Sequence, residues 1–335
     1  MRILVLGGTA FLSAEIARQA LAAGHDVLCL ARGTGSAPPE GATWLKADRS
    51  LGPSAYDAAV AAGEWDAVID VAREPRFAVE ALEALAGSAR HWTFVSSCSV
   101  YADHSVPGAA EDAALLPPLA ASSEATAENY GEAKSAIEHA TAELAADKAH
   151  LCRAGLIGGP GDGSDRYGYW PARFARDAAP VLAPDIPADA TQIIDVRDLA
   201  AWLLAAAASG VTGALNAVGE PVPFADYLEE SRQVAGAAAE VVPVPANWLV
   251  AHGVNYWAGP ESLPLWLPPD HEGFATRRNA AALSAGLRLR PWQETLQDTL
   301  ADERRRGLGR GRKAGLSPDT ERRLLQEFRA ETQPA

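Results

Sequence analysis

The apolar positions of this chain fall into short unbroken runs separated by stretches of helical periodicity. "RILVLGG" begins with such a run and ends in glycines; "AEIARQALAAGHD" follows, with apolar residues at helical spacing and Gly24 as a stop. "DVLCLARG", "WDAVIDVA" (65–72) and "HWTFVSSCSVY" (91–101) are further runs, and "VEALEALAGSAR" is helical between the last two. Strand, helix, strand at this rhythm predicts right-handed βαβ units and a parallel sheet. Helices cover both faces of such a sheet, so its strands are apolar throughout rather than alternating.

A polar loop (102–123) leads to a predicted helix from about Ser123 to Lys148, and "AHLCRAGLIGGPGDG" predicts a strand ending in a glycine-rich loop. Beyond it, 160–190 and 241–275 are rich in Pro, Trp and Gly. "TQIIDVRDLAAWLLAAAASG" has the pattern of a strand and a helix returning to the sheet. The expected fold is α/β and doubly wound. Its nucleotide-binding core covers 1–175 and takes back 191–217, while 176–335 forms mainly a smaller substrate-binding lobe and a C-terminal helix. A basic, glycine-rich connector, "ERRRGLGRGRKAG", precedes that helix, which starts with Ser317 as N-cap and Pro318 in the first turn.

A length of 335 residues accommodates a sizeable core, and 48% apolar with 21% charged residues is an ordinary globular balance. The net charge of −14 opposes broad binding to nucleic acid. Cys29, Cys98 and Cys152 have no metal-type spacing and suggest no disulfide framework, so no metal is expected. Met1 runs directly into the first apolar run without the regions of a signal peptide, and no apolar stretch is long enough to span a bilayer. These features point to a reduced, cytoplasmic setting without a membrane partner.

The candidate chemistry begins at "GGTAFLS" (7–13), placed where the first strand turns into the first helix. Backbone N–H groups and the dipole of a helix N-terminus make such a turn an anion site. At the spacing G-x-x-G-x-x-G, only Gly7 is glycine; Ala10 and Ser13 take the other places. The second strand ends in Arg32 without an acid, which favours the 2′-phosphate of NADP over NAD. "YGEAK" puts Tyr130 and Lys134 on one helix face, where an ammonium would lower the phenol's pKa from about 10. Ser97, closing the fourth strand, lies beyond the sheet's carboxyl edge, where a hydroxyl can bind a substrate carbonyl.

In this order "GGTAFLS", "KADRS", "VIDVA", "VSSCSVY", "YGEAK", "RAGLIGGPG", "IIDVRDLA" and "GLRLRPWQETLQDTL" resemble the extended short-chain dehydrogenase/reductases of the NAD-dependent epimerase/dehydratase group, in a branch reading GGT-x-F-x-G. The resemblance implies a Rossmann core with a substrate lobe. It implies Tyr130 as acid/base, Lys134 holding the nicotinamide ribose and tuning Tyr130, and Ser97 orienting the reacting oxygen. Asp48 would contact adenine and Ala72 would line the cofactor channel. The implied cofactor set further includes Gly7, Thr9, Ala10, Phe11, Leu12, Arg32, Arg49, Ser96 and Leu156.

Two positions depart from the family pattern. Ser13 replaces a glycine, and Thr191 stands where nucleotide-sugar enzymes often carry a phosphate-gripping Arg; Arg153, Arg166 and Arg173 are the candidate substitutes. The loop 161–174 offers Arg166, Tyr167 and Trp170 as substrate contacts. Trp248, Tyr256, Trp257 and Trp266 suggest an aromatic pocket wall. The resulting expectation is an NAD(P)-dependent oxidoreductase acting at a C–OH/C=O centre of a small metabolite, with a homodimer as the common family assembly. A nucleotide-sugar epimerase/dehydratase with retained NAD and a non-catalytic NAD(P) sensor or RNA-associated protein stand as alternatives.

Overall fold

The structure is a computed structural model and describes residues 1–120 and 123–332. The first strands and helices alternate along the chain: β1 (Arg2–Leu6), α1 (Phe11–Ala22), β2 (Asp26–Ala31), β3 (Thr43–Lys46), α2 (Asp57–Ala61), β4 (Ala67–Asp70), α3 (Pro75–Leu85), β5 (Trp92–Ser97) and α4 (Tyr130–Leu144). Then come β6 (Ala149–Ala154), β7 (Leu156–Gly158), α5 (Tyr169–Arg176), β8 (Val181–Pro184), β9 (Ala190–Asp195), α6 (Val196–Ser209), β10 (Gly213–Ala217), β11 (Pro221–Pro223) and, after a further helix, β12 (Val241–Val244).

Seven strands form one sheet in the order β10-β6-β5-β4-β1-β2-β3, and every pair in it is parallel. Alternate side chains of the same strands feed two cores. Ile3, Val5, Val27, Cys29 and Ile69 meet Ile16 of α1 and Leu203 of α6. Leu4, Leu6, Leu28, Leu30 and Val68 meet Tyr56, Leu82 and Leu85 on the other face. This double burial explains the continuous apolar runs. The strand order reverses between β1 and β4, which opens a crevice beyond their carboxyl ends.

Three local readings of the sequence change. The helix expected from Ser123 begins at Tyr130, because Asn129 is spent on the loop: it accepts from Thr126 N at 2.6 Å and donates to Glu124 O at 3.0 Å. Residues 121 and 122 of the polar loop lie outside the described residues. The strand expected after residue 149 is broken at Gly155, and its second half, β7, leaves the main sheet to pair with β9. The 191–217 segment returns only in part: β9 stays in a three-stranded sheet with β7 and β11, while α6 packs against α1 and β10 joins the edge of the main sheet.

The lobe has its own core, built from Trp170, Phe174, Phe224, Tyr227, Leu249, Trp266 and Leu324 among others. Its last helix, Pro318–Thr332, is capped by the Ser317 hydroxyl, which accepts from Thr320 N at 3.2 Å. Among the described residues no helix is long and apolar enough to cross a membrane.

Candidate active site

Gly7 and Gly8 turn the chain from β1 into α1 at φ values of +134° and +92°, conformations that favour glycine. A Cβ on Gly8 would lie 2.4 Å from Cys29 Sγ, so the loop sits directly on β2. Ala10 is extended and offers no side-chain cap to α1. The first-turn N–H groups of the helix at Phe11 and Leu12 are therefore left without a cap from Ala10, the feature an anion site requires. Ser13 is buried and turned inward: its hydroxyl donates to Ala10 O at 2.8 Å. A Cβ on Gly7 would come within 3.3 Å of Ser13 Oγ, so the glycine makes room for the serine.

A cavity of about 250 Å³ adjoins this loop, lined by Gly7, Thr9, Arg32, Asp48, Arg49 and Ala72 among others. The exposed Arg32 stands at its rim. Asp48 is held by Ser50, whose backbone N–H donates at 2.9 Å; these Ser50 hydrogen bonds keep the carboxyl below its usual range. Arg49 does not offer its guanidinium to a ligand. It donates to Tyr56 Oη at 2.9 Å, to Asp70 at 2.9 and 3.1 Å, and to Phe77 O at 2.8 Å. Asp70 in turn accepts from Ala72 N at 2.9 Å, so Arg49 braces the cavity wall.

Tyr130, Lys134 and Ser97 converge where β4 and β5 end. Lys134 Nζ is buried and donates to Ala72 O and Val95 O, each at 2.7 Å; it lies 5.9 Å from the Tyr130 ring centroid. Desolvation brings its ammonium down to about 7. The Tyr130 phenol is not lowered but raised, by burial, against the opposing effects of Arg73, the Ser97 hydroxyl and Arg166. Ser97 Oγ donates to Ser99 Oγ and accepts from Ser99 N, both at 3.1 Å. The neighbouring Ser96 hydroxyl is buried and has no partner among the described residues.

Opposite this cluster, the 159–166 loop passes over the glycine turn; a Cβ on Gly161 would lie 3.7 Å from the Phe11 ring. The basic connector holds the loop in place. The Asp165 carboxylate accepts from Arg310, from Arg306 at 3.3 Å and from Lys313 N at 2.9 Å, and Asp165 has a φ of +60°. Arg166 follows. Its Nε donates to Ser164 Oγ at 3.3 Å, and its guanidinium sits 5.0 Å from the Trp257 ring centroid.

The cavity beside the glycine turn and the cluster of Tyr, Lys and Ser thus meet at Ala72, which lines the cavity and accepts from Lys134. The model of the NAD-dependent epimerase/dehydratase family matches residues 3–218. The 2'-dehydrokanamycin reductase of Streptomyces kanamyceticus is 32% identical over 261 residues, spanning 74% of this chain and 70% of that one. The chain belongs to the NAD-dependent epimerase/dehydratase family. Two solved structures share the fold. The UDP-glucose 4-epimerase of Thermus thermophilus, in complex with NAD, has a TM-score of 0.65 at 20% identity, with 91% of this chain and 99% of that one covered. The UDP-glucose 4-epimerase of Thermotoga maritima, with UDP-glucose, has a TM-score of 0.68 at 15% identity and the same coverage. The protein is accordingly an NAD(P)-dependent oxidoreductase or epimerase of the extended short-chain type.

The remaining sequence candidates separate within this family frame. Thr191 is buried and donates to Val222 O at 3.2 Å. Arg153 is paired with Glu138 at 2.9 Å and Arg173 with Glu321 at 2.6 Å, both buried, so neither replaces the missing arginine. Trp170 is a core residue rather than a substrate contact: it is fully buried, donates to Pro264 O at 2.8 Å, and meets Tyr169 and Phe224 edge-on. Tyr167 is also buried, against Gly158, and it lines a different cavity of about 450 Å³ with Thr191, Tyr227 and Trp292. That cavity is larger than the one at the glycine turn, and neither lining includes Ser97, Tyr130 or Lys134; the cluster adjoins the smaller cavity through Ala72, whose carbonyl accepts from Lys134. Leu156 is buried in the lobe core. Of the four aromatics read as a pocket wall, Trp257 meets Arg166, whereas Trp266 is buried and Trp248 stacks on His252. Sequence reasoning missed Arg73, whose guanidinium lies 5.2 Å from the Tyr130 ring centroid; only its place three residues after the end of β4 hinted at the crevice.

Proposed function

We propose that this protein is a reductase that converts a ketone or aldehyde carbonyl of a small metabolite to an alcohol, with NADP preferred over NAD. The observation that carries this reading is the state of Tyr130. Like any tyrosine phenol it is protonated at neutral pH, and burial raises its pKa further, so it can donate a proton to a carbonyl oxygen. Ser97 lies beside it to bind the same oxygen. The 32% identical relative from Streptomyces kanamyceticus is itself a reductase, which supports the same direction.

The crevice fits a dinucleotide. Gly7, Thr9 and the N–H groups of Phe11 and Leu12 suit its pyrophosphate, and Asp48 and Arg32 suit its adenosine end. A reduced nicotinamide, when bound, supplies the hydride to the carbonyl carbon. Lys134 keeps two carbonyls of the crevice wall in place and has a third N–H left for a ribose hydroxyl when charged. The missing arginine at Thr191 weighs against a nucleotide-sugar substrate.

The test is oxidation of NADPH and NADH with a panel of small ketones, comparing wild type with Tyr130→Phe. The variant should bind cofactor normally and lose about 10²–10⁴ in kcat. Unchanged turnover would sink the mechanism, and isomerisation without net cofactor consumption would assign the protein to the epimerases instead.

A further inference from the structure

Two cations face the proton donor. Arg73 lies 5.2 Å from the Tyr130 ring centroid, and the charge of Arg166, which sits over Trp257, also acts on the phenol. Among the described residues neither arginine makes an ion pair. Arg49, Arg153, Arg173, Arg197 and Arg306 each meet a carboxylate, whereas Arg166 is half-buried without one, Arg73 is exposed, and the buried Arg277 donates to the Asp103 carbonyl instead. The two like charges repel each other, and Asp162 offsets part of the charge of Arg166 without meeting it in an ion pair.

The arrangement is also held rigidly on one side. Asp165 is fixed by Arg306, Arg310 and Lys313 N, and Arg166 leans on the Trp257 face and Ser164 Oγ. A fixed guanidinium with unused donors is suited to a carboxylate or another planar anion.

We propose that Arg73 and Arg166 form an anion subsite beside Tyr130, so that the natural substrate carries a carboxylate or comparable anionic group near its reacting carbonyl. This assignment rests on the reductase reading of the same crevice. It separates this protein from enzymes for polyamine or neutral ketones, because an ammonium group near the carbonyl would meet two guanidinium ions.

Three aryl ketones of similar size serve as probes: benzoylformate (anionic), its methyl ester (neutral) and the quaternary amine phenacyltrimethylammonium (cationic). Calorimetry on the NADP⁺-loaded protein should show benzoylformate binding at least about tenfold more tightly than the ester, and the amine more weakly than the ester. Arg73→Gln and Arg166→Gln should each weaken benzoylformate by about fivefold or more. Both should leave the ester and NADP⁺ within about twofold. Equal binding of the three ketones, or no binding of benzoylformate, overturns the subsite. Loss of NADP⁺ affinity in either variant also overturns it, by assigning the arginines to the cofactor. NADPH consumption is read separately. Selective binding of benzoylformate without consumption of NADPH counts against the reductase reading and for the subsite; consumption with equal use of all three ketones does the reverse.

Discussion

The hydroxyl of Ser13 donates to the carbonyl of Ala10, 2.8 Å away, inside the space that Gly7 leaves open. The third position of the glycine pattern lets a helix pack closely on the first strand. Here a serine fills that role, because its hydroxyl closes on its own loop instead of projecting toward a phosphate.

Ser13→Gly should therefore keep the fold and destabilise it by about 1 kcal/mol, through a lost hydrogen bond and a glycine in the first turn of α1. NADP⁺ affinity should change by less than about threefold, since the crevice N–H groups are unaltered. Thermal melts and cofactor titration check both. A tenfold loss of affinity would show that the hydroxyl holds the pyrophosphate.

Arg32 stands at the rim of the cavity beside the glycine turn. Arg32→Ala should weaken NADPH by about tenfold and leave NADH nearly unchanged, because only NADPH has a phosphate for the guanidinium. Fluorescence titration of both reduced cofactors decides the matter. A wild-type preference for NADH would contradict it.

Lys134 predicts a pH dependence of stability. Desolvation lowers its folded pKa to about 7, against an ordinary value of 10.5. Below pH 7 the folded and unfolded chains are both protonated there, and the burial cost is fully present. Between the two values the unfolded chain holds a proton that the folded chain lacks, so this group's contribution to stability rises with pH, at up to about 1.4 kcal/mol per unit. Subtracting the urea-unfolding free energies of Lys134→Met from those of wild type at pH 6, 8 and 9 isolates the effect. A flat difference would mean that the ammonium stays charged throughout.

Asp165 shifts stability with pH in the same direction, over a lower pH range. Burial pushes its carboxyl up, but the Arg310 bond, the Lys313 N–H and the neighbouring arginines hold it below the usual aspartate range. Its contribution is present above the unfolded pKa of about 3.9 and is lost as pH falls through the lower folded value. Asp165→Asn should cost about 2–4 kcal/mol at pH 7 and much less near pH 3. Because Asp165 positions Arg166, the variant should also raise KM more than it lowers kcat. Urea unfolding at both pH values and steady-state kinetics with benzoylformate test the two parts.

Much of the core was legible because burial on both faces writes itself into the chain as unbroken apolar runs such as "RILVL" and "AVID". The short β3, "TWLK", lacked that signature because it is an edge strand with little buried surface. Trp170 was misread for a related reason: an aromatic beside a glycine loop has the same sequence pattern whether it lines a crevice or fills a core. The basic connector was visible only as charge until Asp165 and Glu303 supplied its partners.

By itself, the amino-acid sequence determined the doubly wound sheet, the glycine turn at 7–13 and the grouping of Ser97, Tyr130 and Lys134, because periodicity and order along the chain are local properties that survive without coordinates. Only the tertiary structure decided which charges meet. It put the Lys134 ammonium onto two backbone carbonyls, spent Arg49, Arg153 and Arg173 on buried carboxylates, and set Arg73 over the Tyr130 ring. Electrostatic partners come from segments far apart in sequence, and their energies depend on separation and burial in space, which no spacing along the chain records.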